Sequence, residues 1–132
     1  MEEQEDIREK INEQELVKKN ANIAKEKKKI NKLFVKIDKN KRAVVEKLIE
    51  NVAFMSVTLD ELKEDIKMYG VKETYMNGSI QFGFKESIES KTYNTMLKNY
   101  MNAIKQLIDL LPEEEKKNAG EDLLKFIASG KK

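Results

Sequence analysis

The sequence contains no cysteine, no histidine and no tryptophan, a single proline and five glycines. Without cysteine, no disulfide can staple a small fold. Without histidine, the chain lacks the usual general base near neutral pH, the commonest metal ligand and the partner that activates a nucleophilic serine. These absences weigh against an enzyme, and the chain is read as non-catalytic, with no cofactor and no metal. Few glycines and prolines beside 38% charged residues point to long solvated helices and away from an all-β sandwich. No apolar run approaches the roughly 20 residues that cross a bilayer. The opening "MEEQEDIREK" is acidic, where a signal peptide is basic and then apolar. A cytoplasmic location with no membrane partner is therefore expected.

Other catalytic constellations find no support either. Ser56 and Ser87 have no base to activate them, and the glycines lack the GxxxxGK[ST] spacing of a phosphate loop. Asp60, Glu61, Glu64 and Asp65 could be imagined as a magnesium site. They interleave with Lys63 and Lys67 on one helix, however, whereas hard-cation sites draw oxygen ligands from converging elements. The run is read as a solvated face.

At 132 residues the chain has room for one domain with appended tails. Its net charge of +2 conceals a polarity along the sequence: residues 1–16 carry seven acids against two bases, and residues 18–47 carry twelve bases against three acids. In the basic stretch Ile23, Ile30, Leu33, Phe34 and Ile37 share one side of a helical wheel. Lys18, Lys25, Lys28, Lys29, Lys32, Lys36 and Lys39 gather on the other side, within about 100° of one another. Together with Lys41 and Arg42 this face suits phosphate-backbone contact. The alternatives are a merely solubilised amphipathic helix or, less well supported without tryptophan, a membrane-surface helix. Asp38 offers an N-cap for the next helix.

That helix is defined by Val45, Leu48, Val52, Met55, Leu59, Leu62, Ile66 and Tyr69, a 3,4 seam over about three and a half heptads, stopped by Gly70. Ile49, Ala53, Phe54 and Val57 lie off the seam, so this helix should touch more than one neighbour. A second seam, Tyr93, Leu97, Tyr100, Ile104, Leu107 and Leu111, runs up to Pro112. On such a seam Tyr93 and Tyr100 are read as packing residues, not as base-stacking ones. Between the seams, "ETYMNGSIQFGF" reads as a hairpin with Asn77-Gly78 in a type I′ turn and arms at Val71–Met76 and Ser79–Phe84. A lone hairpin is marginal in water, so it needs support from the helices or from another subunit. The expected fold is mainly α: an antiparallel pair of long helices with a short β-hairpin between them, an N-terminal basic helix and a C-terminal tail. The tail is expected to break near Gly120 and then to present Leu123, Leu124, Phe126 and Ile127.

The run "LIENVAFMSVTLDELKEDIKMYG", the "NGSIQFG" after it and "SKTYNTMLKNYMNAIKQLIDLLP" together resemble the small subunit of bacteriophage terminase, in the family typical of phages of low-GC Gram-positive bacteria. The matching positions are Ala53-Phe54-Met55, Leu59, Leu62, Ile66, Gly70, Asn77-Gly78, Gly83, Ser87, Tyr93-Asn94, Lys98-Asn99-Tyr100 and Leu110-Leu111-Pro112, within residues 38–112. Many such subunits carry an N-terminal helix-turn-helix, a pattern that residues 1–37 lack. The resemblance implies a non-catalytic subunit that assembles into a homo-oligomeric ring and binds double-stranded viral DNA at the packaging-initiation site. It then delivers that DNA to the terminase large subunit and regulates that subunit's ATPase and nuclease. The setting is the host cytoplasm, with no place expected in the mature virion.

On this reading Lys25, Lys28, Lys29, Lys32, Lys36, Lys39, Lys41 and Arg42 are the DNA-binding candidates. Phe54, Met55, Leu59, Leu62, Tyr93, Tyr100 and Ile104 are the oligomerisation candidates. Residues 1–20 form an acidic N-terminal segment whose order is left open, 21–112 the helical core and oligomerisation domain with its basic helix at 21–37, and 113–132 a tail suited to docking the large subunit. The alternative is an oligomeric helical structural or adaptor protein without DNA binding.

Overall fold

The computed structural model describes residues 12–78 and 81–129. In chain order these form α1 (Glu13–Asn31), a 3₁₀ turn (Lys32–Phe34), α2 (Lys39–Tyr69), β1 (Lys72–Asn77), β2 (Gln81–Glu86), α3 (Ile88–Asp109) and α4 (Glu113–Ser129). The expected class is present: a mainly helical chain whose two longest helices are joined by an antiparallel β-hairpin.

Each helix starts where local chemistry lets it. The Asn12 side chain accepts a hydrogen bond from the Glu15 amide at 2.8 Å, so α1 begins at Glu13, ahead of the residue 21 expected from the apolar stripe. Asp38 caps α2 through the Asn40 amide at 3.1 Å. Ser87 caps α3 by accepting from the Ser90 amide at 3.1 Å, which gives this buried serine a structural role. Gly70 ends α2 at φ +82° and ψ −179°, a combination essentially confined to glycine.

Helix α2, 31 residues and about 46 Å long, is the spine of the fold. Its two apolar faces meet two neighbours, α1 on one side and α3 on the other. Ion pairs from Lys19 to Glu61 at 2.8 Å and from Lys27 to Glu50 at 3.3 Å set α1 antiparallel to α2. The core runs through Ile30, Phe34, Val45, Ile49, Val52, Leu59, Tyr100, Ile104, Leu107 and Leu111. Leu123 of α4 completes it with no exposed surface.

Two details depart from expectation. The helix α4 passes through Gly120 without a break. Gly120 is buried, and a Cβ there would meet only Ile108, at 3.9 Å. In the hairpin, Met76 faces Phe82 and Asn77 faces Gln81, a register that a two-residue turn at Asn77-Gly78 cannot produce. Only Gly78 has positive φ there among the described residues, +76°. A type I′ turn over Asn77-Gly78 needs positive φ at both, so that turn is absent and the pairing differs from the expected arms.

The two glycines should respond in opposite ways to alanine. Gly120→Ala fills open helical space and should stabilise the fold by up to about 1 kcal/mol. Gly70→Ala forces a Cβ into a glycine-only conformation and should cost roughly 1–3 kcal/mol. Urea unfolding followed by circular dichroism measures both signs.

Candidate nucleic-acid interface

The turn between α1 and α2 folds the basic stretch back on itself. Lys25, Lys28 and Lys29 occupy the last two turns of α1, Lys32 the 3₁₀ turn, Lys36 the connection, and Lys39 and Lys41 the start of α2. All seven are exposed at one end of the bundle. Part of this clustering has a local reason, because lysines in the last turn of α1 offset the negative end of its dipole. The positive end of the α2 dipole lies beside them. Lys29 pairs with Glu26 at 3.6 Å and Lys36 with Glu115 at 3.5 Å. Lys25, Lys28, Lys32, Lys39 and Lys41 make no ion pair among the described residues, so their ammonium groups face solvent and are open to an anion.

Arg42, half-buried beside them, has a second task. Its guanidinium donates to the carbonyls of Phe34 at 3.4 Å and Val35 at 3.1 Å, satisfying the end of the 3₁₀ turn and holding the α1–α2 turn in shape. The helical wheel could not show this, because the carbonyls come from the previous element.

The oligomerisation candidates also divide. Leu59, Tyr100 and Ile104 are 6%, 6% and 3% exposed, so their apolar surface is already covered within the chain and is not available to another copy. Met55, Leu62 and Tyr93 are half-buried, and Met55 and Tyr93 pack on the same core. Phe54 is exposed, with the Lys19 ammonium 5.4 Å from its ring centre. Much of each seam is thus packed helix on helix within the chain, while Tyr69 and Leu97 stay exposed. Burial pushes the Tyr100 hydroxyl above its usual pKa, only partly opposed by its hydrogen bond with Ser56.

The tail follows the same pattern. Leu123 is buried and Phe126 and Ile127 are half-buried against the core, leaving Leu124 exposed. Of the apolar cluster expected to dock a partner, most is engaged internally. The acids of α2 do not converge: Glu61 pairs with Lys19 and Glu64 with Lys67 at 3.0 Å. Among the described residues no group of three acidic side chains is placed to hold a metal ion, and no helix is long and apolar enough to cross a membrane.

Sequence reasoning gave no site role to the apolar side chains of the hairpin. Met76, Phe82 and Phe84 are all open to solvent. Their alternation with polar residues was the available signal. No protein-family model, curated protein or solved structure matches the chain.

The bridge that sets α1 against α2 is titratable. A hydrogen bond and the charge of Lys27, with Lys47 nearby, hold the Glu50 carboxyl below its usual range. A depressed folded-state pKa contributes stability that is present above the ordinary carboxylate range and is lost as pH falls through the folded value. Acidification should therefore loosen the α1–α2 contact. Thermal melts across an acid series should fall less steeply for Glu50→Gln than for the unaltered chain.

Proposed function

We propose that this protein is a non-catalytic viral DNA-packaging subunit, the small subunit of a phage terminase. It binds double-stranded viral DNA at the packaging-initiation site and works as a homo-oligomeric ring. It hands the DNA to the large ATPase and nuclease subunit and regulates it there. The observation that carries the DNA part is the gathering of Lys25, Lys28, Lys29, Lys32, Lys36, Lys39 and Lys41 at one end of the bundle. Five of these have no competing acid among the described residues. The packaging part rests on the motif order within residues 38–112.

A lysine surface of this kind suits phosphates better than bases. Ammonium groups act as point charges that release counterions from the duplex, whereas base reading draws on the planar forks of arginine, asparagine and glutamine. With Arg42 engaged by backbone carbonyls, the basic end positions DNA and contributes little sequence discrimination by itself.

Fluorescence anisotropy of a labelled duplex over a salt series tests the reading. Neutralising about five phosphates should give a slope near −4.5 in log affinity against log salt. Changing Lys25, Lys28, Lys29, Lys32 and Lys36 to glutamate should abolish binding while helical content is unchanged. An absence of salt-sensitive binding, or indifference to those five changes, would favour the adaptor alternative.

A further inference from the structure

At the end of the bundle opposite the lysines, the six-residue strands β1 and β2 form a sheet of two strands only. Alternation gives the sheet two unlike faces. On one, Glu73 pairs with Lys85 at 3.2 Å and the Tyr75 ring lies across Gly83, within 3.1 Å of where a Cβ would stand. On the other, Thr74 stands opposite Phe84 and Met76 opposite Phe82. Met76, Phe82 and Phe84 are 71%, 75% and 68% exposed, which is the reverse of what such side chains do in a finished fold. Tyr69, Val71 and Ile88, at the hairpin's base, are exposed as well.

Three side chains of roughly 200 Å² each, about two-thirds open, put on the order of 400 Å² of apolar surface on this one face. A patch of that size on a single chain often marks an interaction site. A two-stranded sheet also needs more strands, or a covered face, to be stable in water.

Charge and composition narrow the occupant. The strands carry Lys72 and Lys85 against Glu73 and Glu86, a balance that attracts neither a nucleic acid nor an anionic membrane. Outside the described residues, the stretch 1–11 is mostly charged and offers only Ile7 and Ile11 as branched apolar side chains. It is too polar to cover this face. The long-helix seams, the other route to self-association, are largely engaged within the chain, with Leu59, Tyr100, Ile104 and Leu107 buried.

We propose that a second copy of this chain covers the Met76–Phe82–Phe84 face, so that the hairpin is the assembly arm of the protein. The inference rests on the packaging reading only for the expectation that copies associate, and it names the surface through which they do so.

Native mass spectrometry and sedimentation velocity of the full chain should show an oligomer that Phe82→Ser/Phe84→Ser reduces to the single-chain mass, with helical circular dichroism retained. Phe54→Ser/Met101→Ser, at exposed apolar positions on α2 and α3, should keep the oligomer. Because the chain has no cysteine, Met76→Cys places one thiol on the face without touching the core. Its maleimide labelling should be several-fold slower in the oligomer than in the Phe82→Ser/Phe84→Ser background, and fast labelling in the intact oligomer overturns the proposal. An oligomer that survives the double hairpin change also overturns it and leaves the packaging reading standing with another interface. A chain that is monomeric throughout removes both the assembly arm and the ring.

Discussion

A 31-residue helix with apolar residues on two sides cannot stand against water. Covering both sides of α2 is the constraint from which the rest of the architecture follows. It draws α1 back along one face, held by Lys19–Glu61 and Lys27–Glu50, and α3 along the other, with Tyr100 bonded to Ser56. The 3₁₀ turn with Phe34 and the helix α4 with Leu123 then close the end that α1 and α3 leave open. Packing within the chain buries the middle of the seam, from Val45 to Leu59 on α2 and from Tyr100 to Leu107 on α3.

The same spine separates two kinds of surface by its length. At its start, the turn clamped by Arg42 gathers lysines beside the positive end of the helix dipole. At its end, Gly70 releases the chain into a hairpin whose Ser87 amide donates to the Val71 carbonyl at 2.9 Å, fixing the base of the arm to the start of α3. One end is charged and suited to phosphate; the other is apolar and suited to protein. On the function proposed above, keeping them apart would let an assembly of copies bind DNA without burying the lysines in its own interfaces.

Much of the fold was legible in the residues because its determinants are local. The 3,4 steps of Val45 to Ile66, the Asp38 cap and the Gly70 stop depend on neighbours within a turn or two, and each stands where it was read. The misreadings share a cause of the opposite kind. Gly120 looks like a break until Ile108 and the α3 surface are there to hold the helix around it. Asn77-Gly78 looks like a two-residue turn until the pairing of Met76 with Phe82 sets a longer loop. In the same way, that Arg42 also clamps a turn shows only once the carbonyls of Phe34 and Val35 come within reach.

The sequence by itself determined the mainly helical class, the caps, the two apolar faces of α2 and the concentration of lysine in residues 18–47, because periodicity, capping chemistry and charge count are short-range properties. Only the tertiary structure decided which apolar residues remain outside. Leu59, Tyr100 and Ile104 have the same greasy character as Met76, Phe82 and Phe84. The first group is buried because α1, α3 and α4 happen to reach it, and the second is exposed because the hairpin carries it beyond their length. Burial is a property of the neighbours that arrive from elsewhere in the chain, and no local pattern encodes it.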